Sequence, residues 1–238
     1  MPERRDLTTP DLTLSYLVDG PADATPVILI HGGSRDATNW AAVTDGLAKR
    51  HRVYSIDMRG HGKTSWTSEY SFDLVADDVS VLVAAEQLSG VILIGHSLGG
   101  GVASFVAKRR PDWLSKLVLE EPSVIPPDVP KQEKPRRPEA EPGFDWETLM
   151  DWMVAATAEP KPEWWFGLRN IAVPTLMYIG RDAQAPQHQR MRAASELIPD
   201  CRVELIPVGH DVHLDAHDDF MRVLDAFVAG QALRSMDS

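Results

Sequence analysis

The stretch Gly95-His96-Ser97-Leu98-Gly99 sets a serine between two glycines, directly after the aliphatic run Val91-Ile92-Leu93-Ile94. A serine hydroxyl at its ordinary pKa is a weak nucleophile, so it does covalent chemistry only where the backbone exposes it and a base stands within hydrogen-bond reach. The pattern supplies the exposure. A buried strand that turns at once into a helix holds the residue at the bend in a strained conformation, with its hydroxyl in a cleft. Glycine on either side permits so tight a crossing of strand and helix. Val102-Ala103-Ser104-Phe105-Val106-Ala107 then continues as a packed helix.

Such a serine needs an imidazole to take its proton and a carboxylate to orient that imidazole. Of the eight histidines, His210 stands out by position, in Ile206-Pro207-Val208-Gly209-His210, on a loop between the last expected strand and the final helix. His213 and His217 read as helix-entry or surface residues. Two carboxylates are candidates for the acid. Asp182 follows the strand Thr175 to Ile179, and Glu121 follows the strand Leu117 to Leu119. An oxyanion hole requires backbone N–H groups aimed at the developing negative charge. Leu98, next after the serine, supplies one, and Gly33 in Ile30-His31-Gly32-Gly33 supplies the second, with His31 bracing that loop. The G-x-G of Asp57 to Ser65 has neither the glycine span of a phosphate loop nor the three glycines of a dinucleotide site, so Arg59 and His61 are expected to hold loops together. No Cys, His or carboxylate cluster has metal-ligand spacing, and neither a metal nor another cofactor is expected.

The elements that must carry these residues alternate. Short aliphatic runs at Val27 to Ile30, Val53 to Ile56, Val91 to Ile94, Leu117 to Leu119, Thr175 to Ile179 and Val203 to Ile206 are separated by helical stretches. Those helices are expected at Asn39 to Arg50, Asp73 to Leu88, Ser97 to Arg110, Gln187 to Ile198 and Asp218 to Ala229. The alternation predicts an α/β fold with a mostly parallel sheet flanked by helices. Leu12 to Val18 alternates apolar and polar residues, as an antiparallel edge strand would. Between residues 122 and 172 prolines and charges accumulate first and then aromatics, which reads as a small cap insertion within one domain spanning 1–238. Trp146, Trp152, Trp164 and Trp165 of that insertion either line an apolar or aromatic substrate or pack the cap onto the core.

A chain of 238 residues with net charge -11 suits one large domain. The acidity speaks against nucleic acid or an anionic membrane as a partner and leaves a small-molecule substrate, with oligomeric state open. One cysteine, Cys201, excludes an intrachain disulfide. With no secretory pattern at Met1 to Asp6 and no apolar run long enough to span a bilayer, a cytoplasmic protein is expected.

With these residues placed, the chain resembles the α/β-hydrolase superfamily along essentially its whole length. The matching pieces are His31-Gly32-Gly33, Asp57 to Gly62, Gly95 to Gly99, Pro174-Thr175-Leu176 and Gly209-His210. The resemblance implies Ser97 as nucleophile, His210 as general base, and Gly33 with Leu98 as oxyanion donors. In many members the acid is the third residue after the glycine ending its strand, which here is Ala183. Counting back from Pro186 gives Asp182 instead, while members that place the acid after the preceding strand imply Glu121. Serine at 97 separates the chain from the haloalkane dehalogenases and epoxide hydrolases, which attack with aspartate. The expectation is therefore a serine esterase or lactonase. Carbon–carbon bond hydrolysis, cofactor-free oxidative chemistry on the same scaffold, and a ligand-sensing protein with slow hydrolysis stand as alternatives.

Overall fold

The computed structural model of the chain describes residues 1–123, 126, 137, 139, 143–158, 162–180 and 185–231. Eight strands form one sheet: β1 (Glu3–Thr8), β2 (Thr13–Asp19), β3 (Pro26–Ile30), β4 (Arg52–Ile56), β5 (Val91–His96), β6 (Leu114–Glu120), β7 (Thr175–Gly180) and β8 (Cys201–Ile206). Their order is β1-β2-β4-β3-β5-β6-β7-β8, parallel from β4 through β8 and antiparallel at β1 and β2. Leu12 to Val18 is thus antiparallel as expected but is not the edge. β1 covers it, and the four consecutive charged residues Glu3-Arg4-Arg5-Asp6 make β1 a solvent-facing border that discourages further pairing.

The central strands are apolar on both faces because helices cover both. Val27 and Leu29 of β3 face a cluster built with Val43 and Leu47 of α1 (Ala41–Leu47) and Phe220, Val223 and Leu224 of α8 (His217–Val228). Ile28 and Ile30 face the opposite cluster, which holds Val75 and Val79 of α2 (Phe72–Ala85) and Val102 and Val106 of α3 (Leu98–Lys108). Two helices, α4 (Trp146–Ala158) and α5 (Pro162–Gly167), interrupt the strand–helix rhythm between β6 and β7, and α6 (Ala185–Leu197) and the short α7 (Val212–Asp215) complete the set.

β3 lies between β4 and β5, so successive crossovers leave it in opposite directions and open a crevice at its carboxyl end. The register makes the neighbouring strand ends level: Ile30 is opposite Gly95, His96 opposite Glu120, and Glu120 opposite Tyr178. Residues just past these positions share one rim. α4 is fixed beside it: Asp145 caps the helix by accepting the Thr148 N–H at 3.2 Å, donates its own N–H to Gly60 O, and accepts the Tyr70 hydroxyl at 2.9 Å. His61 forms an isolated bridge with Phe144 and stacks on its ring.

Candidate active site

Ser97 ends the rise of β5 at φ 51° and ψ −115°, a backbone region that non-glycine residues rarely occupy. Its neighbours hold it there. The Ser97 N–H donates to Glu120 O at 2.9 Å, and Ser97 O accepts from Gly101 and Ser123 N–H at 3.0 and 2.8 Å. The strand and helix cross so closely that a methyl group on Gly95 would lie 2.3 Å from Gly99 O, and one on Gly99 would lie 2.4 Å from Ile30 O. Only glycine fits at either place.

The loop after β3 reaches the same point. A methyl group on Gly32 would sit 3.3 Å from Ser97 Cβ, and one on Gly33 would sit 3.7 Å from Leu98 Cδ2. Leu98 is the first residue of α3, so its N–H has no acceptor within the helix. Gly33 and Leu98 are thereby brought together beside the serine. His31, fully buried, ties the loop down: its Nδ1 bonds Gly32 O at 2.7 Å while Nε2 accepts the Met58 N–H at 3.1 Å. Arg59 holds Asp78 of α2 through two buried hydrogen bonds of 2.7 and 2.6 Å.

His210 is delivered by the loop after β8, which runs over the end of β7. A methyl group on Gly180 would stand 2.3 Å from Gly209 O, so glycine at the tip of β7 lets the loop lie low. His210 Nδ1 faces Glu121 Oε2 at 3.2 Å, while Glu121 Oε1 accepts the Gly180 N–H at 2.6 Å. Glu121 is buried and has φ 44°, a turn out of the strand that aims its side chain at the loop. This bond to Glu121 is the largest influence on the imidazole and raises its pKa, against the opposing effect of burial. Ser97 and His210 are not hydrogen-bonded to one another; such pairs often tighten only once substrate is bound. The sequence left Glu121 and Asp182 open as the carboxylate. Glu121 is the one seen against His210, and Asp182 lies outside the described residues.

The tryptophans divide. Trp164 is buried, donates its indole N–H to Ser104 Oγ at 3.0 Å, stacks on Phe72 and lies tilted against Phe105. Trp165 is buried in the same cluster, so both pack α5 onto the core. Trp146 joins Phe144, Tyr70, Leu149 and Met150 in a separate cluster under α4. Trp152 is half-buried against Phe72, and its neighbour Met153 reaches the loop after β3, with its Cε 3.3 Å from where a Gly33 methyl would be. Met153 carries no chemical signature in sequence, and only the packing of α4 brings it to the rim.

A second carboxylate–imidazole pair lies beneath the first. Glu120 and His213, both without solvent exposure, bond through Nδ1 at 2.9 Å, and the His213 N–H donates to the same oxygen at 2.7 Å. His213 does enter a helix, but at its buried side, against the Trp40 ring 4.3 Å away. The readable signal was two adjacent glutamates ending an aliphatic strand, where a solvated start to a loop needs no such placement.

Burial depresses several histidines: His31 to about 4, His61 to about 3, and His96 in the same direction. The unfolded chain therefore takes up protons that the folded chain refuses as pH falls below 6.5, and His31 alone withdraws on the order of 3 kcal/mol by about pH 4. His210 acts oppositely, since its raised pKa stabilises at low pH and that contribution fades as pH rises through the folded value. Thermal melts are expected to show stability dropping steeply from about pH 6.5 to about pH 4. An unchanged melting temperature across that window would mean that these rings are charged or solvated in the fold.

A family model for alpha/beta hydrolases matches residues 27–223. The chain belongs to the alpha/beta hydrolase family. It is similar to an sn-1-specific diacylglycerol lipase of Mus musculus, 24% identical over 92% of this chain and 86% of that protein. It is also similar to a non-heme chloroperoxidase of Streptomyces lividans, 38% identical over 53% of this chain, which spans 47% of that protein. Among solved structures, a hydrolase from Pseudomonas aeruginosa PA01 has the same fold, with a TM-score of 0.82 at 22% identity over 95% of this chain and 98% of that one. Among the described residues, no helix is long and apolar enough to cross a membrane.

Proposed function

We propose that this alpha/beta hydrolase cleaves carboxylic esters or lactones through an acyl-enzyme on Ser97. The reading is carried by one observation: a serine held at φ 51° on the rim where His210 is paired with a buried Glu121. His210 takes the hydroxyl proton as Ser97 attacks the carbonyl carbon, and the Gly33 and Leu98 N–H groups receive the oxyanion. The imidazolium returns the proton to the leaving alkoxide. Water, deprotonated by the same ring, then releases the acid and restores the serine. The similarity to a diacylglycerol lipase supports ester chemistry, and Met153 beside Gly33 supports a small apolar or aromatic acyl group.

The test is a panel of p-nitrophenyl esters and aryl lactones, with kcat/KM followed against pH. Turnover requires neutral His210, so kcat/KM falls as pH drops through an imidazole pKa above 6.5. Glu121, Asp211 and Glu120 all favour the charged ring and His96 faces it from β5, but the hydrogen bond to Glu121 dominates. Glu121→Gln therefore moves that acid limb to lower pH. No hydrolysis across the panel, or an acid limb that ignores the Glu121 substitution, would count against the mechanism.

The chloroperoxidase similarity favours one second reading, oxidation of a halide with hydrogen peroxide at the same serine. Halogenation in the presence of peroxide, bromide and a carboxylic acid by wild type but not by Ser97→Ala would support it.

A further inference from the structure

Glu120 does two things at once. Its carbonyl oxygen accepts the Ser97 N–H at 2.9 Å, and its carboxylate accepts both the N–H and the Nδ1–H of His213 at 2.7 and 2.9 Å. One residue at the end of β6 thus fixes the backbone of the serine and, three positions past His210, the backbone of the loop that carries the imidazole. The near end of that loop has its own anchor, since His96 Nε2 bonds His210 O at 3.1 Å from the position just before Ser97. The pair is dry: neither Glu120 nor His213 is exposed, and His213 stacks against Trp40 and lies 5.1 Å from the His96 ring. His213 Nδ1 faces both carboxylate oxygens, 2.9 Å from Oε1 and 2.8 Å from Oε2, and among the described residues His213 Nε2 has no partner, so the ring is held to Glu120 through Nδ1 alone. A buried carboxylate is costly unless it is fully bonded, and a merely packed core would be served better by apolar residues.

We infer that Glu120 and His213 form a positioning pair, set behind the catalytic rim, that fixes the reach of the His210 imidazole toward Ser97. Neither residue touches substrate. The pair clamps the two ends of the transfer, serine backbone and histidine loop, to a single carboxyl-bearing residue, so that a shift of one carries the other. This inference rests on Ser97, His210 and Glu121 acting as proposed above.

The experiment is Glu120→Gln on the full chain, with hydrolysis of a p-nitrophenyl ester measured at saturation and under kcat/KM conditions. Glutamine keeps one acceptor oxygen but loses the charge and the second oxygen. A misplacement of the order of 1 Å can cost ~10²-fold, so kcat should fall by about 10- to 100-fold with KM within about 2-fold of wild type. The discriminating step repeats the substitution in His210→Ala, which retains residual turnover from the oxyanion site and binding. A residue that acts through His210 produces no further loss there. Wild-type kcat in Glu120→Gln, or an equal further loss in the His210→Ala background, would overturn the inference. If Glu120→Gln does not fold, His213→Asn, which keeps a side-chain donor, is measured in the same way; failure of both to fold would assign the pair to stability alone and also overturn it. Glu121→Gln, run alongside, separates the two levels. Turnover untouched in both variants sinks the triad itself, whereas turnover untouched only in Glu120→Gln sinks the positioning pair.

Discussion

Ser97→Ala is expected to lower ester turnover on the order of 10⁶-fold, because loss of the nucleophile from such a triad leaves only binding and the oxyanion site to act. The substitution removes one oxygen and leaves the backbone problem unchanged. Alanine meets the same steric penalty as serine at φ 51°, and the hydrogen bonds that fix this turn come from the backbone of Glu120, Gly101 and Ser123. The melting temperature should therefore stay close to that of wild type, and KM for any residual activity should change little. Equal turnover by Ser97→Ala and wild type would remove Ser97 from the chemistry, whatever its conformation.

The second large effect is expected at Glu121. Its two oxygens have separate duties: Oε1 accepts the Gly180 N–H at 2.6 Å, and Oε2 faces His210 Nδ1 at 3.2 Å. Glutamine has one acceptor and one donor in their place. If its oxygen stays with Gly180, its NH₂ meets the Nδ1–H of His210, and the ring must flip, change tautomer or move away. A comparable loss of the orienting carboxylate costs on the order of 10⁴-fold in kcat. Asp182→Asn is the companion measurement, because the sequence permits either acid. Loss confined to Glu121→Gln, with Asp182→Asn within about 10-fold of wild type, is the expected pattern; the reverse would transfer the role to Asp182.

The difference between these two carboxylates shows where sequence reading stopped. The serine, both oxyanion candidates and His210 were legible because each depends on local grammar: a glycine-flanked bend, a glycine pair after a strand, a histidine on the loop after the last strand. The mostly parallel sheet flanked by helices was legible for the same reason, since aliphatic runs of strand length alternate with helical stretches. The acid was not, because its identity depends on which strand end lies under the His210 loop, and that follows from the close passage of Gly209 over Gly180. β1 escaped notice because a strand that opens on four charged residues at a sheet border has no apolar face to announce it. Trp164 and Trp165 were readable as aromatic mass, but whether they face substrate or core depends on the seating of α5, and the bond from Trp164 to Ser104 decides for the core. Met153 and the buried pair of Glu120 and His213 lay beyond reach for a related reason. Their partners are 93 positions away for the Glu120–His213 pair and 120 for Met153 and Gly33, while strand register and helix seating make them neighbours.

The most direct measurement of the central claim is covalent trapping. Wild-type protein treated with a fluorophosphonate, and separately with a slow-turning p-nitrophenyl ester, is digested and its peptides are weighed. The mechanism predicts a single phosphonyl or acyl adduct on the peptide containing Ser97, with loss of turnover in step with labelling and no adduct in Ser97→Ala. An adduct on another residue, or full ester turnover with Ser97 unmodified and its label absent, would contradict it.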